Sequence, residues 1–167
     1  MISDLGDLHL GRKKVQPSSR EIQEFYKEAK GVLRYELRTF VESEIEVVAC
    51  SSRETLKRRR YTCYACALMP DHVHMVIRRH RDHAEDMIEH LQNDSRLALL
   101  DAKYRESNHP VWGGPGWKVF LDTPDDIRRT IRYVEENPIK IRWPVQQWDF
   151  VTPYDGWLPT PPPRRLR

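Results

Sequence analysis

The chain lacks most of what would mark it as secreted or membrane-bound. Its three cysteines, Cys50, Cys63 and Cys66, are odd in number and too few for a disulfide framework, so a reducing cytoplasm is the natural setting. No apolar run approaches the roughly twenty residues that span a bilayer, and the first residues lack the apolar segment of a secretory signal. No internal repeat is visible. Charge of one sign is barely in excess, at +3, so net charge alone does not select an acidic partner. With 167 residues, 39% hydrophobic and 32% charged, the chain suits one domain with a modest core and a well-solvated surface. The 12 prolines point to irregular ends.

The basic residues are clumped. Arg12, Lys13 and Lys14 form one knot, Lys57, Arg58, Arg59 and Arg60 a second, Arg78, Arg79, His80 and Arg81 a third, and Arg164, Arg165 and Arg167 a fourth. Such knots can follow a phosphate backbone, or can be solvated faces balanced by nearby carboxylates.

Helical periodicity is clearest from Ile22 to Val41, where Phe25, Tyr26, Ala29, Val32, Leu33, Leu37 and Phe40 recur on one face after a cap at Ser18 or Ser19. Residues 8–10 form a candidate strand before it, while residues 43–60 fit either a helix or a strand. Residues 61–68 and the run after Pro70 and Asp71 read as an antiparallel hairpin. A helix is predicted over 81–104, open to a break at Asn93, Asp94 and Ser95, and a strand over 118–121. Between them lies a glycine-containing loop flanked by Trp112 and Trp117, which could stack on bases but more often would cap the core. Thr123, Pro124, Asp125 and Asp126 open a last helix, buried through Ile127, Ile131 and Val134, which proline restricts to an end near Asn137. The organisation is then a domain over 1–142 and an irregular tail rich in proline and tryptophan over 143–167.

The chemistry centres on Met69, Pro70, Asp71, His72, Val73 and His74. In an extended chain His72 and His74 project from one face, with Val73 packed behind on the other. Two neutral imidazoles make half of a metal site; alone, such a pair can equally be a hydrogen-bonded surface couple. Tyr133 and Asn137 stand four apart and share a helix face. Facing the histidines, the phenol would supply a nucleophile and the carboxamide a third ligand. Apart from them, the two read as a packed aromatic and a helix cap.

The histidine motif, followed some sixty residues later by Tyr133, Val134, Glu135, Glu136, Asn137 and Pro138, resembles that of the HUH single-tyrosine transposases. Within them it is most similar to the REP-associated tyrosine transposases, relatives of the IS200 and IS605 enzymes, over roughly residues 5–142. The resemblance implies an α+β, ferredoxin-like HUH domain with an antiparallel sheet packed with helices. It implies Tyr133 as nucleophile and His72, His74 and Asn137 as ligands to Mg²⁺ or Mn²⁺. The partner would be single-stranded or hairpin DNA, nicked and rejoined through a 5′-phosphotyrosine, by a monomer or a homodimer. The basic residues Arg12, Lys13, Lys14, Arg58, Arg59, Arg60, Arg78 and Arg79 become candidate DNA contacts.

Physical chemistry supports the scheme: two imidazoles make Mn²⁺ at least as suitable as Mg²⁺, and an ordinary phenol, with a pKa of about 10, needs help to attack. Glu136 is an alternative third ligand. A zinc site joining Cys63 and Cys66 to the histidines is disfavoured, because positions i and i+3 of a regular strand face opposite sides. Two other functions fit part of the pattern: a non-catalytic module holding hairpin DNA or RNA, and a metal-dependent hydrolase that uses water.

Overall fold

A computed structural model describes residues 38–106, 110–114 and 116–158. Its elements are α1 (Glu42–Arg59), β1 (Cys63–Leu68), β2 (Val73–Ile77), α2 (Ala84–Asp101) and α3 (Pro124–Lys140). They make an α+β arrangement in which helices pack on a small antiparallel sheet: α3 lies against β1 and β2, α1 against β1, and α2 along α1.

The ambiguous stretch resolves as helix α1. Its first turn is secured by Glu44, whose carboxylate accepts from the Val41 backbone N–H at 2.9 Å. That cap depends on Arg105, which pairs with Glu44 so that both side chains are almost wholly buried. Phe40 and Val41, expected at the end of the preceding helix, are instead non-helical. The Phe40 N–H bonds to the Pro70 carbonyl at 2.6 Å, and its ring meets Trp112 edge-on at 5.5 Å. The expected helix and strand N-terminal to residue 38 lie outside the described residues.

The hairpin forms as expected, closed by a bond from the Met69 N–H to the His72 carbonyl at 2.8 Å. Side chains alternate along β2: Val73, Met75 and Ile77 pack toward the α1 core, while Val76 packs with Ile127 and Val134 of α3. On β1 the alternation slips once. Cys63 pairs with Ile77 and Ala65 with Val76, so Tyr64 is an extra residue, a β-bulge. Tyr64 and Ala65 both face α3, and Cys63, Cys66 and Leu68 all join the α1 core. This corrects the sequence argument that the two hairpin cysteines must face apart. Burial raises the thiol pKa of each, Cys63 to about 12, so they behave as packed apolar groups.

α2 runs unbroken through Asn93, Asp94 and Ser95, so the break that these residues left open does not occur. Two of the polar side chains there are engaged: Ser95 Oγ donates back to the Leu91 carbonyl at 2.6 Å, and Asp94 receives Thr55 Oγ1 at 2.6 Å and pairs with Arg58 of α1. Trp112 caps the core, donating Nε1 to the Gln92 carbonyl at 2.9 Å. Trp117 is exposed. The strand expected over 118–121 does not form. Val119 and Phe120 are exposed there, and Lys118 is held by Glu85 of α2.

Residues 143–158 carry no helix or strand, and several of their side chains pack on the rest of the fold. Trp143, Trp148, Phe150 and Val151 lie on the α1 core. Gln146 bonds both backbone groups of Leu68, accepting from its N–H at 2.8 Å and donating to its carbonyl at 2.9 Å. Thr152 N–H reaches the Cys63 carbonyl at 2.8 Å. The edge of β1 is thereby covered. Among the described residues no helix is long and apolar enough to cross a membrane.

Candidate active site

The site forms where the turn end of the hairpin meets α3. His72 immediately precedes β2 and His74 lies within it, so the strand's alternation aims both at α3 together with Val76. Their rings stand edge to face at 4.7 Å. Asp71, at the turn, holds His72 Nδ1 at 2.7 Å. That contact fixes the ring and leaves Nε2 for other work, the usual role of a carboxylate behind a ligating histidine. His74 is half-buried, and burial lowers its pKa, with help from the nearby His72 and Lys140 charges and against the opposing effect of Asp71. The shift favours the uncharged ring, the form in which an imidazole can act as a ligand.

α3 brings the second half. Thr123 caps it, its Oγ1 accepting from the Asp126 N–H at 3.1 Å, and Ile127 and Val134 bury its inner stripe on β1 and β2. This anchoring leaves Tyr133 at the edge of the buried stripe, 50% exposed. Its ring meets that of His74 edge-on, 5.8 Å between centroids. Asn137 is buried, at 6% exposure. Its Nδ2 donates to the Tyr133 carbonyl at 2.9 Å, and its Oδ1 accepts from Lys140 Nζ at 3.1 Å. The same ammonium lies 3.8 Å from the Tyr133 ring centroid.

The helix does not end at Asn137, as proline would suggest. It runs to Lys140, with Pro138 inside its last turn. The bond lost at the proline nitrogen is offset by complete burial of its ring and by its carbonyl, which accepts from Ile141 and Trp143 at 3.1 and 2.9 Å. This extra turn carries Lys140, which the sequence reading missed. The signal was available: position 140 is three past Asn137 and seven past Tyr133, on the same helical face.

His72, His74, Tyr133 and Asn137 are thus brought together, and Glu136 is exposed. Among the described residues no three His, Cys, Asp or Glu side chains gather as a metal cluster. The basic residues sit elsewhere. Because β1 and β2 are antiparallel, Arg58, Arg59, Arg60, Arg78 and Arg79 come to the open end of the hairpin, with Arg78 N–H on the Thr62 carbonyl. His74 lies at the turn end, about 13 Å away along a strand. Arg58 is paired with Asp94, and Arg78 with Asp155 at 3.2 Å, beside the Trp157 ring at 5.0 Å. Arg12, Lys13 and Lys14 lie outside the described residues. Comparison with protein-family models, curated proteins and solved structures finds no match for this chain in any of the three.

Proposed function

We propose that this chain is a metal-dependent HUH-type tyrosine transposase that nicks and joins single-stranded or hairpin DNA. On this reading the α+β layers belong to a ferredoxin-like HUH domain. The observation that carries the proposal is the meeting of Tyr133 with His74 on one side of the hairpin, with Asn137 one helical turn from the phenol.

The residues fit a divalent ion. His72 Nε2, the His74 ring and Asn137 Oδ1 would hold Mg²⁺ or Mn²⁺ on one side and leave positions open for phosphate oxygens. When bound, the ion supplies charge stabilisation to the phosphate under attack. Tyr133, half-exposed and held by α3, would be the group open to attack on the DNA. In the step proposed, Tyr133 Oη gives up its proton and forms a bond to phosphorus, the bond from phosphorus to the 3′-oxygen breaks, and that oxygen takes up a proton as a free 3′-OH, so that no net proton is gained or lost. The 5′-phosphotyrosine retains the energy of the phosphodiester, so a second 3′-OH can reverse the step. Asp71 fixes His72, and the bond between Asn137 and the Tyr133 carbonyl holds ligand and nucleophile to one geometry.

The test is incubation of labelled single-stranded DNA with the protein and Mn²⁺, followed by denaturing electrophoresis. A protein–DNA adduct that survives denaturant is expected. Cleavage without an adduct would instead indicate a water-using hydrolase. Salt-sensitive binding with no cleavage would indicate a binding module.

A further inference from the structure

We propose that Lys140 makes metal loading of this site depend on the presence of DNA, by holding a positive charge on the oxygen that a divalent ion would use. The inference rests on the reading of His72, His74 and Asn137 as metal ligands. Lys140 Nζ donates to Asn137 Oδ1 at 3.1 Å and sits on the face of the Tyr133 ring at 3.8 Å, so it lies between the third ligand and the nucleophile.

A divalent ion on Asn137 Oδ1 would sit only a few ångströms from this ammonium. Two like-signed charges at that range repel strongly even near solvent, so the ion must displace the lysine or bind weakly beside it. A DNA phosphate changes the balance. Its oxygens carry negative charge that both cations can share, and the long lysine side chain can turn from Asn137 to a phosphate while its stem stays on α3. DNA and metal then promote each other's binding, and this coupling is reciprocal. The plainer alternative is that Lys140 is only a cation placed to suit the C-terminal end of a helix. That role predicts an effect on stability and none on metal affinity.

The experiment measures Mn²⁺ binding by electron paramagnetic resonance of the free ion, with and without a short single-stranded oligonucleotide. It is done in the Tyr133→Phe background, so that no DNA is cut, and compares Lys140 with Lys140→Met and Lys140→Arg. Without DNA, Lys140→Met is expected to bind Mn²⁺ about five- to tenfold more tightly at low salt, the advantage shrinking as salt rises. With the oligonucleotide its advantage should fall below about twofold. Lys140→Arg should behave as Lys140 does, because the charge remains. Equal affinity of the Lys140→Met variant and its parent without DNA would overturn the proposal, as would an advantage that DNA leaves unchanged. His74→Ala separates the two levels: if it binds Mn²⁺ as well as its parent, the ligand assignment itself fails. Absence of Mn²⁺ binding in every variant overturns both.

Discussion

Tyr133 meets His74 edge-on, with 5.8 Å between ring centroids and 72° between ring planes, although the two are fifty-nine positions apart in sequence. Neither residue is alone: His72 stands against His74, and Lys140 against Tyr133. The contact follows from two separate regularities, the period of two along β2 and the buried stripe of α3. A shift of either by one residue would put the phenol and the imidazoles on different faces.

Tyr133→Phe removes only the hydroxyl of a half-exposed ring. Stability should change by no more than about 0.5 kcal/mol, and Mn²⁺ binding should persist, while the DNA adduct disappears. Adduct formation by the variant, seen on a denaturing gel, would remove Tyr133 from the mechanism.

The pair of Glu44 and Arg105 is buried on both sides, with side-chain exposures of 4% and 6%, and Glu44 also caps α1. Arg105→Met should destabilise by about 3–5 kcal/mol, because it strands a buried carboxylate. Glu44→Gln combined with Arg105→Met should cost less than Arg105→Met alone. Urea unfolding of the two variants compares the costs, and a larger loss in the double variant would contradict this account.

Leu99 is fully buried between α2 and the α1 core. Leu99→Ala should lower stability by about 2–5 kcal/mol without loss of Mn²⁺ binding, because the site stands on the opposite side of the hairpin. Thermal unfolding and metal titration on the same sample check both halves.

Asp155 ties residues 143–158 to the hairpin. Bonds from the Trp157 N–H and the Tyr64 hydroxyl, and then the charge of Arg78, hold its pKa below the ordinary value of 3.8. A carboxylate depressed in the folded state contributes stability above the unfolded pKa and loses it as pH falls through the folded value. Stability should therefore decline below about pH 4, and Asp155→Asn should flatten that part of the acid limb. Denaturant midpoints at a series of acid pH values test it; an unchanged acid slope in the variant would remove Asp155 from the account.

Much of this layout was legible in the sequence where local chemistry and packing agree. The turn at Pro70 and Asp71, the common face of His72 and His74, the Thr123 cap and the stripe of Ile127, Ile131 and Val134 all follow from short-range rules. What escaped depends on partners distant in sequence. The start of α1 uses Val41, a poor capping residue, because Glu44 and the far-off Arg105 replace a polar side chain. α2 passes Asn93, Asp94 and Ser95 because Asp94 is engaged by Thr55 and Arg58. Pro138 stays in its helix because its ring is buried. Residues 118–121 have strand-like composition, but Val119 and Phe120 are exposed and no neighbouring strand is paired with them among the described residues. The bulge at Tyr64 leaves no mark in composition, and it misled the argument about Cys63 and Cys66.

That bulge has a practical side. With both hairpin thiols turned into the α1 core, Cys50, exposed on α1, is the one cysteine of the three that a maleimide can reach in the folded protein. A fluorophore or spin label can therefore be attached at a single defined point, on the face of the hairpin away from α3, without altering a residue.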